Sequence, residues 1–216
     1  MGGKRLLALL ACGLSLSGVA VAPVSATPTA ASLNAADPPG DWDRHVDDPW
    51  TWYAPQGWIA AAGPYDLNIS SPTGVKWVKF GFSAAPVDMT QTDAANAVAW
   101  FAYWRDQVAA SSINGSNGLY SKPLASARYT AVGAVRQLAA QTPYRTRWRQ
   151  RVEFKGTRLN GKRVLGEMVM DYSVDAVGDA GAESFQIRSA PRRTFDNTIG
   201  QLRLVQSLIF YCGSVC

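Results

Sequence analysis

One dipeptide constrains this chain more than any other feature: Asn160-Gly161, set between two long runs in which apolar and polar residues alternate. Asn-Gly supplies the backbone torsions of a tight hairpin, so the run Arg145 to Lys155 and the run ending near Asp175 are predicted to pair antiparallel. The usual two-residue loop fails on parity. It would set Arg147, Arg149 and Arg151 opposite Val174, Tyr172 and Met170, mixing the faces of both strands. A three-residue loop, either Leu159-Asn160-Gly161 or Asn160-Gly161-Lys162, instead puts Trp148, Val152 and Phe154 on one face with Met168, Met170, Tyr172 and Val174. A one-residue slip reverses every side chain, so burial selects this register. The first loop pairs Arg145 with Asp175 and Arg149 with Asp171. The second pairs Arg147 with Asp175, Arg151 with Asp171 and Lys155 with Glu167.

The rest of the chain fills in around that hairpin. Trp50 to Tyr53, Trp58 to Ala62, the alternating Tyr65, Leu67 and Ile69, and Val75 to Ala84 are predicted strands of one antiparallel meander, separated by Pro- and Gly-containing turns. Thr92 is placed to cap a helix whose stripe is Ala94, Ala97, Phe101, Trp104 and Val108, ending near Ser111. A second helix follows Pro191, with Phe195, Ile199, Leu202 and Val205 as its stripe, and leads into a short closing element at Ser207 to Tyr211. Strands, a helix, more strands and a last helix make an α+β class domain, an antiparallel β-sheet flanked by two main helices. No internal repeat is visible.

The ends define the boundaries. Lys4 and Arg5, the apolar run Leu6 to Val21 and the small residues Val24-Ser25-Ala26 compose a secretory signal cut after Ala26, with Ala30 as the alternative site. The run is shorter and more diluted than a spanning helix requires. Cys12 sits in a lipobox-like Leu9-Leu10-Ala11-Cys12, but only the six apolar residues Leu6 to Ala11 precede it and the apolar run continues beyond it, so no lipid anchor is predicted. The organisation is therefore 1–26 signal, 27–49 flexible acidic leader, and 50–216 a single domain, acting outside the cell. Cys212 and Cys216 remain, and an even count in an oxidising compartment points to a disulfide between them.

The segment "YAPQGWIAAAGPYDLNISSPTG", from Tyr53, and the closing "FDNTIGQLRLVQSLIF", from Phe195, resemble the start and finish of PsbP-like and Mog-type domains. The likeness spans most of 50–211 in layout. It implies a sheet flanked by helices in a group of accessory and binding proteins, exported bacterial ones among them, with no shared catalytic site. It transfers no functional residue, and the absence of a usable lipobox departs from the lipoprotein members.

Charge is unevenly spread. Without Lys4 and Arg5 the chain carries 19 basic against 16 acidic residues, yet Lys122 to Arg163 holds eleven basic residues with Glu153 as its one acid. Strand alternation sets Arg145, Arg147, Arg149 and Arg151 on one face. With Arg158, Arg163 and Arg136 they are the candidate contacts for an anionic envelope polymer, lipid headgroups or another extracellular anion, and a protein partner is the other class considered. Against this stands cross-strand pairing, which neutralises two of the four. Trp52, Trp58 and Trp77 are the candidates for a carbohydrate platform, Trp77 because it shares a face with Lys79. Asp41, Asp43, Asp47 and Asp48 are the candidate cation ligands, opposed by Arg44 in their midst and by the lack of an EF-hand glycine and glutamate.

Catalysis has little to work with. His45 is the one histidine, it lies in the leader, and both mature cysteines are assigned to a bridge. Glu153, Glu167 and Glu183 are the only glutamates, and the first two fall on strands where a partner charge explains them. No cofactor is predicted. The reading is a secreted, non-enzymatic binding or accessory protein; a small extracellular hydrolase and a carbohydrate-binding module are the alternatives.

Overall fold

The computed structural model describes residues 37–114 and 124–211. The expected signal segment, Cys12, the first part of the leader and the Cys212–Cys216 pair lie outside them. In chain order the elements are β1 (Trp42–Asp47), β2 (Trp50–Pro55), β3 (Ile59–Ala62), β4 (Asp66–Ser70), β5 (Trp77–Ala85), α1 (Asp93–Asn114), β6 (Leu124–Val132), β7 (Arg136–Leu138), β8 (Tyr144–Arg158), β9 (Arg163–Asp175), β10 (Gly181–Pro191), α2 (Phe195–Ser207) and β11 (Ile209–Tyr211).

The β8–β9 hairpin takes the register that burial demands, with Arg149 opposite Asp171, Val152 opposite Met168 and Thr157 opposite Arg163. Its loop is Leu159-Asn160-Gly161, closed by Arg158 N–H to Lys162 O at 2.9 Å and Gly161 N–H to Arg158 O at 2.9 Å. Gly161 sits at φ 76°, the left-handed conformation of the third loop residue in such hairpins. We expect Gly161→Val to cost about 1–2 kcal/mol, because a side chain there is strained while nothing nearby clashes with it. Urea titration is the check, with the midpoint falling and the slope unchanged.

The hairpin is the centre of an eight-stranded antiparallel sheet ordered β3-β4-β5-β10-β9-β8-β6, with β7 also on β8. A separate three-stranded sheet is ordered β1-β2-β11. The expected single meander is thus divided, since the chain leaves the small sheet after β2 and enters the large one at β3. The large sheet is a middle layer. On one face α1 packs Ala97, Phe101 and Val108 onto Val152, Phe154, Met168, Met170 and Tyr172. On the other, α2 and β2 pack Leu202, Val205, Trp50 and Trp52 onto Leu67, Ile69 and Val78.

Both helices start where the sequence places them. Thr92 Oγ1 accepts the Ala95 N–H at 3.2 Å, a side-chain cap for α1. That helix runs on to Asn114, beyond the expected end near Ser111. The leader differs from expectation: Trp42–Asp47 is a strand paired with β2, and His45 stacks on Trp52 with ring centroids 5.2 Å apart. An edge strand whose outward residues are solvated has no apolar period to reveal it, and the inward contacts come from Trp42 and His45.

Candidate functional site

The arginine row on β8 is largely consumed by the fold. Arg145 grips Asp93 with two hydrogen bonds of 3.0 and 2.7 Å, and this pairing holds the Asp93 carboxyl below its ordinary range. The expected partner, Asp175, is lost because a register shift between Tyr144 and Thr146 sets Tyr144 opposite it instead. Arg149 makes a bidentate pair with Asp171 at 2.6 and 2.8 Å. Arg147 donates to Gln141 Oε1 at 2.6 Å, and Arg151 is ion-paired with Glu167. Arg158, 6% exposed, faces inward and donates to Val75 O at 2.8 Å, so it is a structural residue and no ligand contact.

Glu167 explains the strongest of these pairings. It is 1% exposed under α2 and is held by Arg151, Arg188 and Arg203. Burial pushes its carboxyl up, but hydrogen bonds from Arg203 and Arg188 and the charges of Arg188 and Arg151 outweigh that and leave it below its ordinary value. Glu153 stands opposite Glu167 in the ladder and shares Arg151 with it, but Glu153 is half exposed while Glu167 is buried beneath α2, so the two carboxylates do not open together onto solvent as a glycosidase pair does.

The aromatic candidates find structural roles, and the acidic ones stay at the surface. Trp77, expected at the surface, is 1% exposed, because its strand lies inside a sheet covered on both faces. Trp52 is buried and Trp58 packs against the same core. Asp41, Asp43, Asp47 and Asp48 are exposed along β1 and its ends, and among the described residues no three His, Cys, Asp or Glu side chains converge as a metal-ligand set.

What the sheet does assemble is a basic groove beside the hairpin. β6 pairs with β8 so that Arg128 stands directly opposite Lys155, and Ser126 opposite Thr157. On the other side of β8, Thr157 faces Arg163. Arg192, just past β10, donates its backbone N–H to Arg163 O at 3.1 Å. These four cations, together with Thr130, Gly156 and Leu165, line an open cavity of about 630 Å³. Gly156 is required by close packing against β6, since a Cβ would meet Leu124 Cδ1 at 2.6 Å and Ser126 O at 2.9 Å. Two bulges in β6 flank Arg128 and re-aim the strand locally.

Among the described residues none of the four cations takes part in an ion pair, and the cavity lining contains no carboxylate. Like charges directly opposite across a ladder cost stability. An anion seated between them reverses that cost. Of the seven arginines singled out from the sequence, the groove takes only Arg163. Lys155 and Arg128 both belong to the basic stretch, but Arg128 comes to lie beside Lys155, and Arg192 beside Arg163, through strand pairings that no local pattern signals.

The third glutamate is a second buried carboxylate, to which the sequence assigns no partner. Glu183, 6% exposed, accepts hydrogen bonds from the indole N–H groups of Trp100 and Trp104 and from the Ser83 hydroxyl, and among the described residues no cation forms an ion pair with it. Burial pushes its carboxyl above the ordinary value, partly offset by those three donors.

No protein-family model matches the chain, and no curated protein matches it in sequence. Among solved structures it is similar to the PsbP protein CyanoP of Synechocystis sp., at TM-score 0.45 and 12% identity, over 82% of this chain and 95% of that one. It is similar to the Ran-binding protein Mog1p of Saccharomyces cerevisiae, at TM-score 0.35 and 8% identity, over 80% of this chain and 97% of that one. It is also similar to LpqN of Mycobacterium tuberculosis, described as involved in cell envelope biogenesis, at TM-score 0.37 and 12% identity, over 78% of this chain and 88% of that one. The PsbP and Mog-type resemblance of the two end motifs thus recurs as a resemblance of layout, and no role in those names is carried over to this chain.

Proposed function

We propose that this chain is an exported, non-enzymatic binding protein that takes a phosphate- or sulfate-bearing ligand of the cell envelope into the groove of Arg128, Lys155, Arg163 and Arg192. The observation that carries the reading is the opposition of Arg128 and Lys155 with no ion-pair partner among the described residues, in a cavity whose lining adds hydroxyls from Ser126, Thr130 and Thr157. Guanidinium and ammonium groups beside hydroxyl donors suit phosphate oxygens. The same lining offers no imidazole, thiol or carboxylate to serve as a general base, which supports binding over hydrolysis.

Titration calorimetry with inorganic polyphosphate at two salt concentrations tests this. Replacing all four cations by alanine is expected to weaken binding by about 100-fold or more and to flatten its salt dependence. Replacing Arg145 and Arg149, whose charges are already paired, is expected to leave binding within about threefold. Equal affinity of the fourfold variant and the parent protein would overturn the reading.

A further inference from the structure

The groove ends at the β8–β9 hairpin, whose tip carries one large apolar side chain. Leu159 is 76% exposed. Single exposed leucines are ordinary on protein surfaces, so the argument rests on where this one stands. Thr157 and Arg163, the last strand pair before the tip, both line the groove, and Lys162 adds a further exposed cation next to them. The tip is also rigid. Two backbone hydrogen bonds close the loop, Asn160 Oδ1 accepts the Lys162 N–H at 3.2 Å, and the buried Arg158 ties the base of the hairpin to Val75 O. A preformed tip loses little conformational freedom when it is immobilised.

We propose that this end of the molecule docks on an anionic phospholipid surface, with headgroup phosphates in the groove and Leu159 inserted at the boundary between headgroups and acyl chains. The inference rests on the reading that the groove takes phosphate, and it names the lipid headgroup as the source. Charge and shape agree with it. Arg128, Lys155, Lys162, Arg163 and Arg192 cluster beside the apolar tip, the combination that attracts a protein to anionic lipid and then holds it by partial insertion. A soluble polyanion filling the groove gains nothing from Leu159, and this separates the two sources. Among the described residues no helix is long and apolar enough to cross a membrane, so docking of this kind is peripheral.

Co-sedimentation of the mature chain with phosphatidylcholine vesicles, with and without about 30% phosphatidylglycerol, is the test, run alongside polyphosphate titration. The parent protein is expected to bind the anionic vesicles and to be released by salt. Leu159→Ser is expected to weaken vesicle binding about tenfold while polyphosphate affinity stays within twofold. Leu159→Phe is expected to strengthen vesicle binding. Each groove cation replaced by alanine is expected to cost about fivefold on vesicles. Polyphosphate binding without vesicle binding, or vesicle binding unchanged in Leu159→Ser, overturns the membrane inference and leaves the groove reading standing. Failure to bind polyphosphate, with vesicle binding insensitive to the four groove cations, overturns the groove reading itself.

Discussion

Glu167→Ala is expected to destabilise the protein by about 3–5 kcal/mol, lowering its melting temperature by about 10 °C. The carboxylate is the shared counter-ion of Arg151, Arg188 and Arg203, and Arg188 is itself buried, with Gln206 as its one other side-chain partner among the described residues. Removing the carboxylate leaves a guanidinium without compensation in the layer between α2 and the sheet. The same logic predicts a rescue. In Glu167→Leu/Arg188→Leu both buried charges are gone, and most of the loss is expected to be recovered, because apolar groups of similar volume replace a buried pair at little net cost. The pH dependence has a definite sign. Because the folded carboxyl titrates below its unfolded counterpart, its contribution is complete above the ordinary carboxylate range and is lost as pH falls through the depressed folded value. Thermal melts of parent and Glu167→Gln across acid pH are expected to converge as pH falls. Parallel curves would show that Glu167 is not the linked group.

Trp100→Phe/Trp104→Phe is expected to cost about 3 kcal/mol or more near neutral pH, well beyond what the change in ring area explains. Both indoles donate to the same oxygen of Glu183, and hydrogen bonds to a charged acceptor are worth about 1.5–3 kcal/mol each. Without them a buried carboxylate keeps only the Ser83 hydroxyl. Two measurements isolate this cause. Adding Glu183→Gln to the double variant is expected to restore most of the stability by removing the charge, and acidification is expected to do the same. The sign follows from the folded carboxyl titrating above its unfolded value. Its contribution is fully present below the ordinary value of 4.5 and is lost as pH rises through the folded one. In the parent protein, Glu183→Gln alone is expected to be neutral or stabilising. The amide oxygen can take both indole N–H groups, and its NH₂ can face Ser83 Oγ, whose single hydrogen then turns from residue 183 to Ala84 O, 3.1 Å away. A double variant whose loss is insensitive to both pH and Glu183→Gln would place the effect in packing alone.

These two carboxylates show why the site was only partly legible beforehand. Glu167 stood on a predicted strand and was assigned a partner charge, which it has, threefold. Glu183 offered no such signal, because its partners come from β5 and from one face of α1, about 80 to 100 residues earlier in the chain. The groove divides in the same way. Lys155 and Arg163 flank one hairpin and sit in one run of sequence. Arg128 joins them only when β6 zips onto β8, and Arg192 only where β10 ends beside β9.

The sequence by itself determined what local periodicity and turn chemistry control. Parity around Asn160-Gly161 selected a three-residue loop and the faces of the longest hairpin, a threonine cap and an apolar stripe located α1, and a second stripe located α2. Each depends on neighbours within a few residues, or on the requirement that one face be dry. Tertiary structure alone decided which layer covers each sheet face. It buried Trp77 in the core beneath α1 where alternation placed it beside a lysine at the surface, turned Arg145 toward Asp93, and moved the positive charge that has no ion-pair partner among the described residues from the β8 arginine row to the groove at the hairpin's base. The physical reason is that burial and counter-ion pairing are set by contacts between residues far apart in the chain, and alternation within one strand specifies sides without specifying what will stand on them.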